Sequence, residues 1–150
     1  MRVQELLIAD EIKRIIIEKG YGELYPPQAD AMAAGALLGK NIVLASPTAS
    51  GKTLVAELAI LKKVTEGQGK ALYLTPLRAL ASEKYDEFQK YSNVSKPDGH
   101  RVRIAITSGD YDRSDEHLGN YDVVIATNEK ADSLLRHKAK WISDVTLVVA

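Results

Sequence analysis

Short apolar runs at residues 41–45, 70–75, 101–106, 122–126 and 145–150 alternate with stretches of helical periodicity at 52–65, 77–91 and 128–138. A strand that is apolar at successive positions, and not only at every second one, is buried on both faces, as in a parallel sheet. Parallel neighbours require a crossover of helical length between them, and this alternation supplies it. The pattern predicts an α/β fold, a parallel sheet with helices on both faces. At 150 residues, 45% hydrophobic and 27% charged, the chain has the size and composition of one globular domain. Collagen-like, low-complexity and disordered classes are excluded on the same grounds.

Two helices are expected ahead of the alternating region. Leu6, Leu7, Ile12, Ile15 and Ile16 fall near helical spacing, with Glu5, Lys13, Arg14 and Glu18 on the other face and Gly20 as terminator. A second helix is expected from Pro26-Pro27 through Gln28, Ala29, Met32 and Ala33 to Leu38, with proline in its first turn. Charged residues interrupt the N-terminal apolar positions, so that segment reads as neither a signal peptide nor a membrane span, and a cytoplasmic, non-membrane protein is expected. Lys and Arg number 20, as do Asp and Glu, so no excess of positive charge marks a nucleic-acid surface, although a local patch fits within a zero sum. The absence of cysteine excludes disulfides, thiolate metal sites and a cysteine nucleophile. Residues 92–100 and 108–120 read as loops. The acidic residues Asp110, Asp112, Asp115 and Glu116 lack a metal-ligand spacing and read as a solvated loop, and Trp141 reads as a core residue.

The most chemically specific stretch is Ser46-Pro47-Thr48-Ala49-Ser50-Gly51-Lys52-Thr53, between an apolar run and a helix. That is the context of a phosphate-binding loop. Backbone N–H groups at a helix start converge on anionic oxygens, and the helix dipole adds to the attraction. Gly51 permits close backbone approach, Lys52 brings a point charge to the terminal phosphates, and the Thr53 hydroxyl is a ligand for Mg²⁺. Ser46 stands where the strict pattern has its first glycine.

Taken with Leu24-Tyr25-Pro26-Pro27-Gln28, Thr75-Pro76-Leu77-Arg78-Ala79-Leu80-Ala81, Ser108-Gly109-Asp110-Tyr111 and Ala126-Thr127-Asn128-Glu129-Lys130, this loop completes an ordered set of motifs. The set resembles the first motor domain of the superfamily-two DExH helicases, in the archaeal branch related to the helicase region of DNA polymerase theta. The likeness runs over essentially the whole chain. It implies a RecA-like phosphate-loop sheet preceded by the two helices, with residues 1–39 carrying the glutamine motif and 40–150 the core. It also implies ATP with Mg²⁺ as cofactors, held by Gln28, Pro47, Thr48, Ala49, Ser50, Gly51, Lys52, Thr53 and Leu54. Gln28 would read adenine, whose N6 and N7 complement a carboxamide, and Thr53 would meet the metal. Pro76, Arg78, Ser108, Gly109, Thr127 and Lys130 would hold the phosphate backbone of a nucleic-acid strand. Thr127 also reads as a plain helix N-cap.

In the resembled family, the D-E-x-H box that orders Mg²⁺ and activates water follows the strand corresponding to residues 145–150. The chain is therefore expected to be the N-terminal, ATP-binding part of the first RecA-like domain, truncated before that box and without catalytic residues of its own. The parent would be an ATP-dependent 3′-to-5′ DNA helicase or translocase acting on single-stranded or forked DNA, with a second RecA-like domain as partner and a role in repair. The alternatives are a non-hydrolysing nucleotide-binding module and a related RNA helicase. Without the strand expected between Val43 and Val148, the isolated chain is expected to be marginally stable and prone to pair its open edges.

Overall fold

A computed structural model of the chain describes residues 1–109 and 115–150. Contacts gather into two compact units, Met1–Lys62 and Lys63–Ala150, and the division falls inside one helix.

The first unit is helical. Helix α1 (Asp10–Glu18) buries Ile12 and Ile16. It ends where Gly20 adopts φ +93, with Gly20 N–H bonded to Ile17 O and Tyr21 N–H to Ile16 O. These two bonds satisfy carbonyls that the last turn leaves open, the role expected of this glycine. Leu6 and Leu7 lie ahead of α1, and Leu7 is exposed. Helix α2 (Pro26–Ala33) is shorter than the sequence pattern suggests, because Gly35 at φ +103 breaks it and Ala36–Leu38 continues only as a 3-10 turn. The unit closes at its start through an antiparallel bridge between Arg2 and Glu23.

Residues 41–45, expected as a strand, form no ladder with any described residue. A strand exists through its hydrogen-bonded neighbour, and propensity does not replace one. Val43 is accordingly 97% exposed. Helix α3 (Lys52–Thr65) forms as expected, with Leu58, Ile60 and Leu61 fully buried.

The second unit holds the predicted parallel sheet: β1 (Lys70–Thr75), β2 (Ile104–Thr107), β3 (Val123–Thr127) and β4 (Val145–Val149), in the order β2-β3-β1-β4. All three pairings are parallel. Central β3 is buried at every position. At the edge, Thr146 and Val148 of β4 face outward, so this strand is covered on one face only, although its sequence is apolar nearly throughout. Side chains alternate across the sheet. On one face Tyr73 meets Phe88 of α4 (Arg78–Phe88) edge-on at 6.0 Å between centroids, and Phe88 meets Tyr91 likewise at 5.9 Å. On the other face Leu72, Val124 and Ala126 pack with Leu134 of α5 (Asn128–Arg136) and with Trp141. Helices thus cover both faces. Asp122 fixes the amino edge, its carboxylate accepting from Arg103 N–H at 2.8 Å and Lys96 Nζ at 3.0 Å.

Trp141 is the chain's one tryptophan and is 3% exposed, in agreement with its reading as core. Truncating a buried tryptophan removes its apolar contacts and leaves a cavity, at about 3–5 kcal/mol. Trp141→Ala should lower unfolding stability by about that amount in a urea titration followed by circular dichroism. The unmodified chain should show blue-shifted tryptophan emission that moves red only as this unit unfolds.

Candidate nucleotide and nucleic-acid sites

The residues expected to hold a nucleotide are gathered in the first unit. Tyr25 is the N-cap of α2 and Gln28 its third residue, and the Gln28 side chain returns to the cap, accepting from Tyr25 N–H at 2.7 Å. Its Nε2 donates to Gly51 O at 2.9 Å. Gln28 is 2% exposed, so one carboxamide joins the first turn of α2 to the end of the phosphate loop. The carboxamide oxygen keeps a second lone pair and Nε2 a second hydrogen beyond these two bonds.

Gly51 is suited to this position by its φ of +78, in the left-handed region that favours glycine, and a Cβ there would displace the end of the Gln28 side chain. Ala49 also sits in the left-handed region at φ 61, which costs an L-residue about 1–2 kcal/mol. These two positions curl the loop back toward the start of α3, where the first amides of a helix lack intrahelical partners.

Lys52, the first residue of α3, folds over the loop and donates from Nζ to Ser46 O at 2.6 Å and Pro47 O at 2.8 Å. A phosphate would attract that charge more strongly than these neutral carbonyls do. The Ser46 and Ser50 hydroxyls are bonded to each other at 2.5 Å. Pro47, Thr48 and Ala49 are exposed, Thr53 is half-buried and Leu54 is buried. No cluster of three or more His, Cys, Asp or Glu residues with metal-site geometry occurs among the described residues. The fit to Mg²⁺ therefore rests on the Thr53 hydroxyl together with oxygens the nucleotide would bring. The loop geometry, the helix start and the Lys52 position fit a phosphate chain.

The residues expected to hold a strand are gathered in the second unit, at one edge of the sheet. Thr75 of β1 pairs with Thr127 of β3, and Thr107 of β2 pairs with Ala126, so the three strands end level. In a parallel sheet these are carboxyl ends, where open α/β sheets receive their ligands. Pro76 follows β1 and is exposed, and Arg78, also exposed, opens α4. Thr75 Oγ1 donates to Leu77 O at 3.2 Å, holding that turn. Ser108 and Gly109 follow β2 and are half-buried. Thr127 caps α5 by accepting from Lys130 N–H at 3.2 Å, which is the N-cap reading. The Lys130 side chain points elsewhere: it is 2% exposed, and its Nζ lies 2.9 Å from Asp115 Oδ2.

Asp115 corrects the reading of a solvated acidic loop, since its side chain is 6% exposed and ion-paired. Asp110 and Asp112 lie outside the described residues, and Glu116 is exposed as expected. Neither the Asp115–Lys130 pair nor the Gln28–Gly51 bond was legible beforehand. Each links residues with no periodic relation, and the available signal was only that a lysine and an aspartate flank a predicted strand.

Residues 25–150 match the family described as DEAD/DEAH box helicase. The chain is 57% identical over 150 residues to the ATP-dependent DNA helicase Hel308 of Thermococcus kodakarensis, covering all of this chain and 13% of that protein. It is 51% identical over 149 residues to Hel308 of Pyrococcus abyssi, covering 99% of this chain and 20% of that protein. The chain thus spans about one-eighth to one-fifth of the length of these relatives. Among solved structures it resembles the DUF1998 helicase MrfA bound to DNA, with TM-score 0.75 and 29% identity over 94% of this chain and 20% of that one. MrfA bound to DNA and AMPPNP matches with TM-score 0.69 and 29% identity over 91% of this chain and 19% of that one. With the motif order, the parallel sheet and the family match in agreement, the chain belongs to the DEAD/DEAH box helicases.

Proposed function

We propose that this chain supplies the ATP-binding loop and a strand-holding rim of an ATP-dependent DNA helicase or translocase. The observation that carries the nucleotide half is Lys52, whose ammonium sits on two backbone carbonyls over a loop curled by Ala49 and Gly51. Bound Mg·ATP would supply the free energy of phosphate release to the whole protein. Within this chain, the loop amides and Lys52 would bind its phosphates, Thr53 would orient the metal, and Gln28 would sense the base. Pro47, Thr48, Ser50 and Leu54 would line the same loop. The Gln28 bond to Gly51 O would then link the base end of the site to its phosphate end.

The nucleic-acid half rests on the carboxyl edge of the sheet. Pro76 and Arg78 after β1, Ser108 and Gly109 after β2, and Thr127 at the start of α5 offer a guanidinium, hydroxyls and backbone amides. Such groups suit phosphates, and they position a strand without reading its sequence. The names of the relatives favour DNA as the strand. Among the described residues, no helix is long and apolar enough to cross a membrane.

Two variants test the two halves separately. Lys52→Ala removes a charge-assisted contact worth about 1.5–3 kcal/mol, so calorimetric titration should show Mg·ATP affinity falling roughly 10- to 150-fold. Unchanged affinity would remove the loop from the account. Arg78→Ala should weaken single-stranded DNA binding equally for all sequences and reduce the salt-dependence slope by about 0.7, the value for one lost phosphate contact. An unchanged slope would take Arg78 off the strand.

A further inference from the structure

Asp115 stands between two elements that the sheet brings side by side. It precedes the 3-10 turn Glu116–Asn120, while Lys130 lies in the first turn of α5. Asp115 Oδ2 receives Lys130 Nζ at 2.9 Å, and Thr107, the last residue of β2, donates its Oγ1 to the same oxygen at 3.4 Å. Both side chains of the ion pair are almost wholly buried, at 2% and 6% exposure. The Asp115 backbone lies in the left-handed region, φ 46 and ψ 57, a conformation that aspartate tolerates better than most residues with a side chain.

A buried ion pair is poor evidence for stability, because desolvation offsets the attraction. What it does fix is geometry. This pair joins the end of β2 to the start of α5, and α5 leaves the neighbouring strand β3 through its cap, Thr127. Ser108 follows directly on Thr107, so the pair ties the last residue of β2, next to Ser108, to the first turn of α5.

We propose that Asp115 is a positioning residue for the nucleic-acid strand. Through Lys130 and Thr107 it holds the exits of β2 and β3 at the spacing in which Ser108, Gly109 and the start of α5 bear on one phosphate backbone. The Lys130 ammonium is consumed inside the fold and makes no contact with the strand. This inference rests on the strand-holding role proposed above for the carboxyl edge.

Charge and position predict opposite signs. Asp115→Asn removes a negative charge near the rim and loosens Lys130, so electrostatics alone would tighten binding of a polyanion. Positioning predicts weaker binding, by roughly 2- to 30-fold, the range for residues that act through a neighbour. Anisotropy titrations of the 150-residue chain with fluorescent oligothymidine at several salt concentrations measure both affinity and slope. The expected result is weaker binding in Asp115→Asn and an unchanged salt slope in Lys130→Met. Equal or tighter binding in the first, or a slope reduced by about 0.7 in the second, would overturn the proposal. Should either single variant fail to fold, the paired D115N/K130Q variant leaves no unmatched buried charge and retains an amide pair able to hydrogen-bond. It should keep the unmodified slope, and a reduced slope would count against the proposal. If the unmodified chain does not bind oligothymidine, the strand-holding reading fails. Amide exchange then decides on the brace: faster exchange at Thr107, Ser108 and Gly109 in Asp115→Asn supports it, and unchanged exchange refutes it.

Discussion

Parallel pairing makes every strand of a sheet finish at the same edge, and that constraint organises the second unit of this protein. Once β1, β2 and β3 align with Thr75 opposite Thr127 and Thr107 opposite Ala126, the segments leaving them crowd together whatever their sequences. Each segment then has its own local anchor. Thr75 bonds back onto Leu77 O, Thr127 caps α5, and Thr107 reaches Asp115. Threonine ends all three strands. It is β-branched, so it suits a strand, and its hydroxyl can bond the backbone or side chain of the turn that follows.

The proposed nucleotide loop follows a different logic, since it is held by local contacts in the first unit and not by a ladder. The Gln28 carboxamide and the Lys52 ammonium both end on backbone carbonyls of the loop or its boundary. A loop rich in outward-turned carbonyls would repel a phosphate chain, and Lys52 neutralises the two carbonyls that it covers. Exchange of those carbonyls for phosphate oxygens would keep the lysine satisfied in both states, so binding would not strand a charge.

Most of the sheet was legible because continuous apolar runs and helical periodicity are separated by clear turn residues. The bounds of β1 and α3 agree with the sequence pattern residue for residue. Residues 41–45 show the limit of that reading. Their apolar character is that of a buried strand, yet a strand needs a neighbour, and a one-dimensional pattern does not say whether one is there. Similarly, the run at 145–149 does not reveal that Thr146 and Val148 face outward, because edge or centre is a property of strand order. At the candidate sites, motif spacing singles out the loop, Gln28, Arg78 and Thr127 as candidates. It did not distinguish a lysine facing solvent from one buried on an aspartate fifteen positions earlier, and burial of a charge is decided by tertiary partners.

In the function proposed here, the carboxyl edge of the sheet is the face that meets nucleic acid. The most direct measurement is amide chemical-shift mapping of the isotope-labelled chain during titration with a short oligothymidine. Saturable changes are expected, centred on Arg78, Ser108, Gly109 and Thr127, at the level where β1, β2 and β3 end. Changes centred instead on Lys70, Lys96 and Asp122 at the amino edge, or no changes at all, would contradict it.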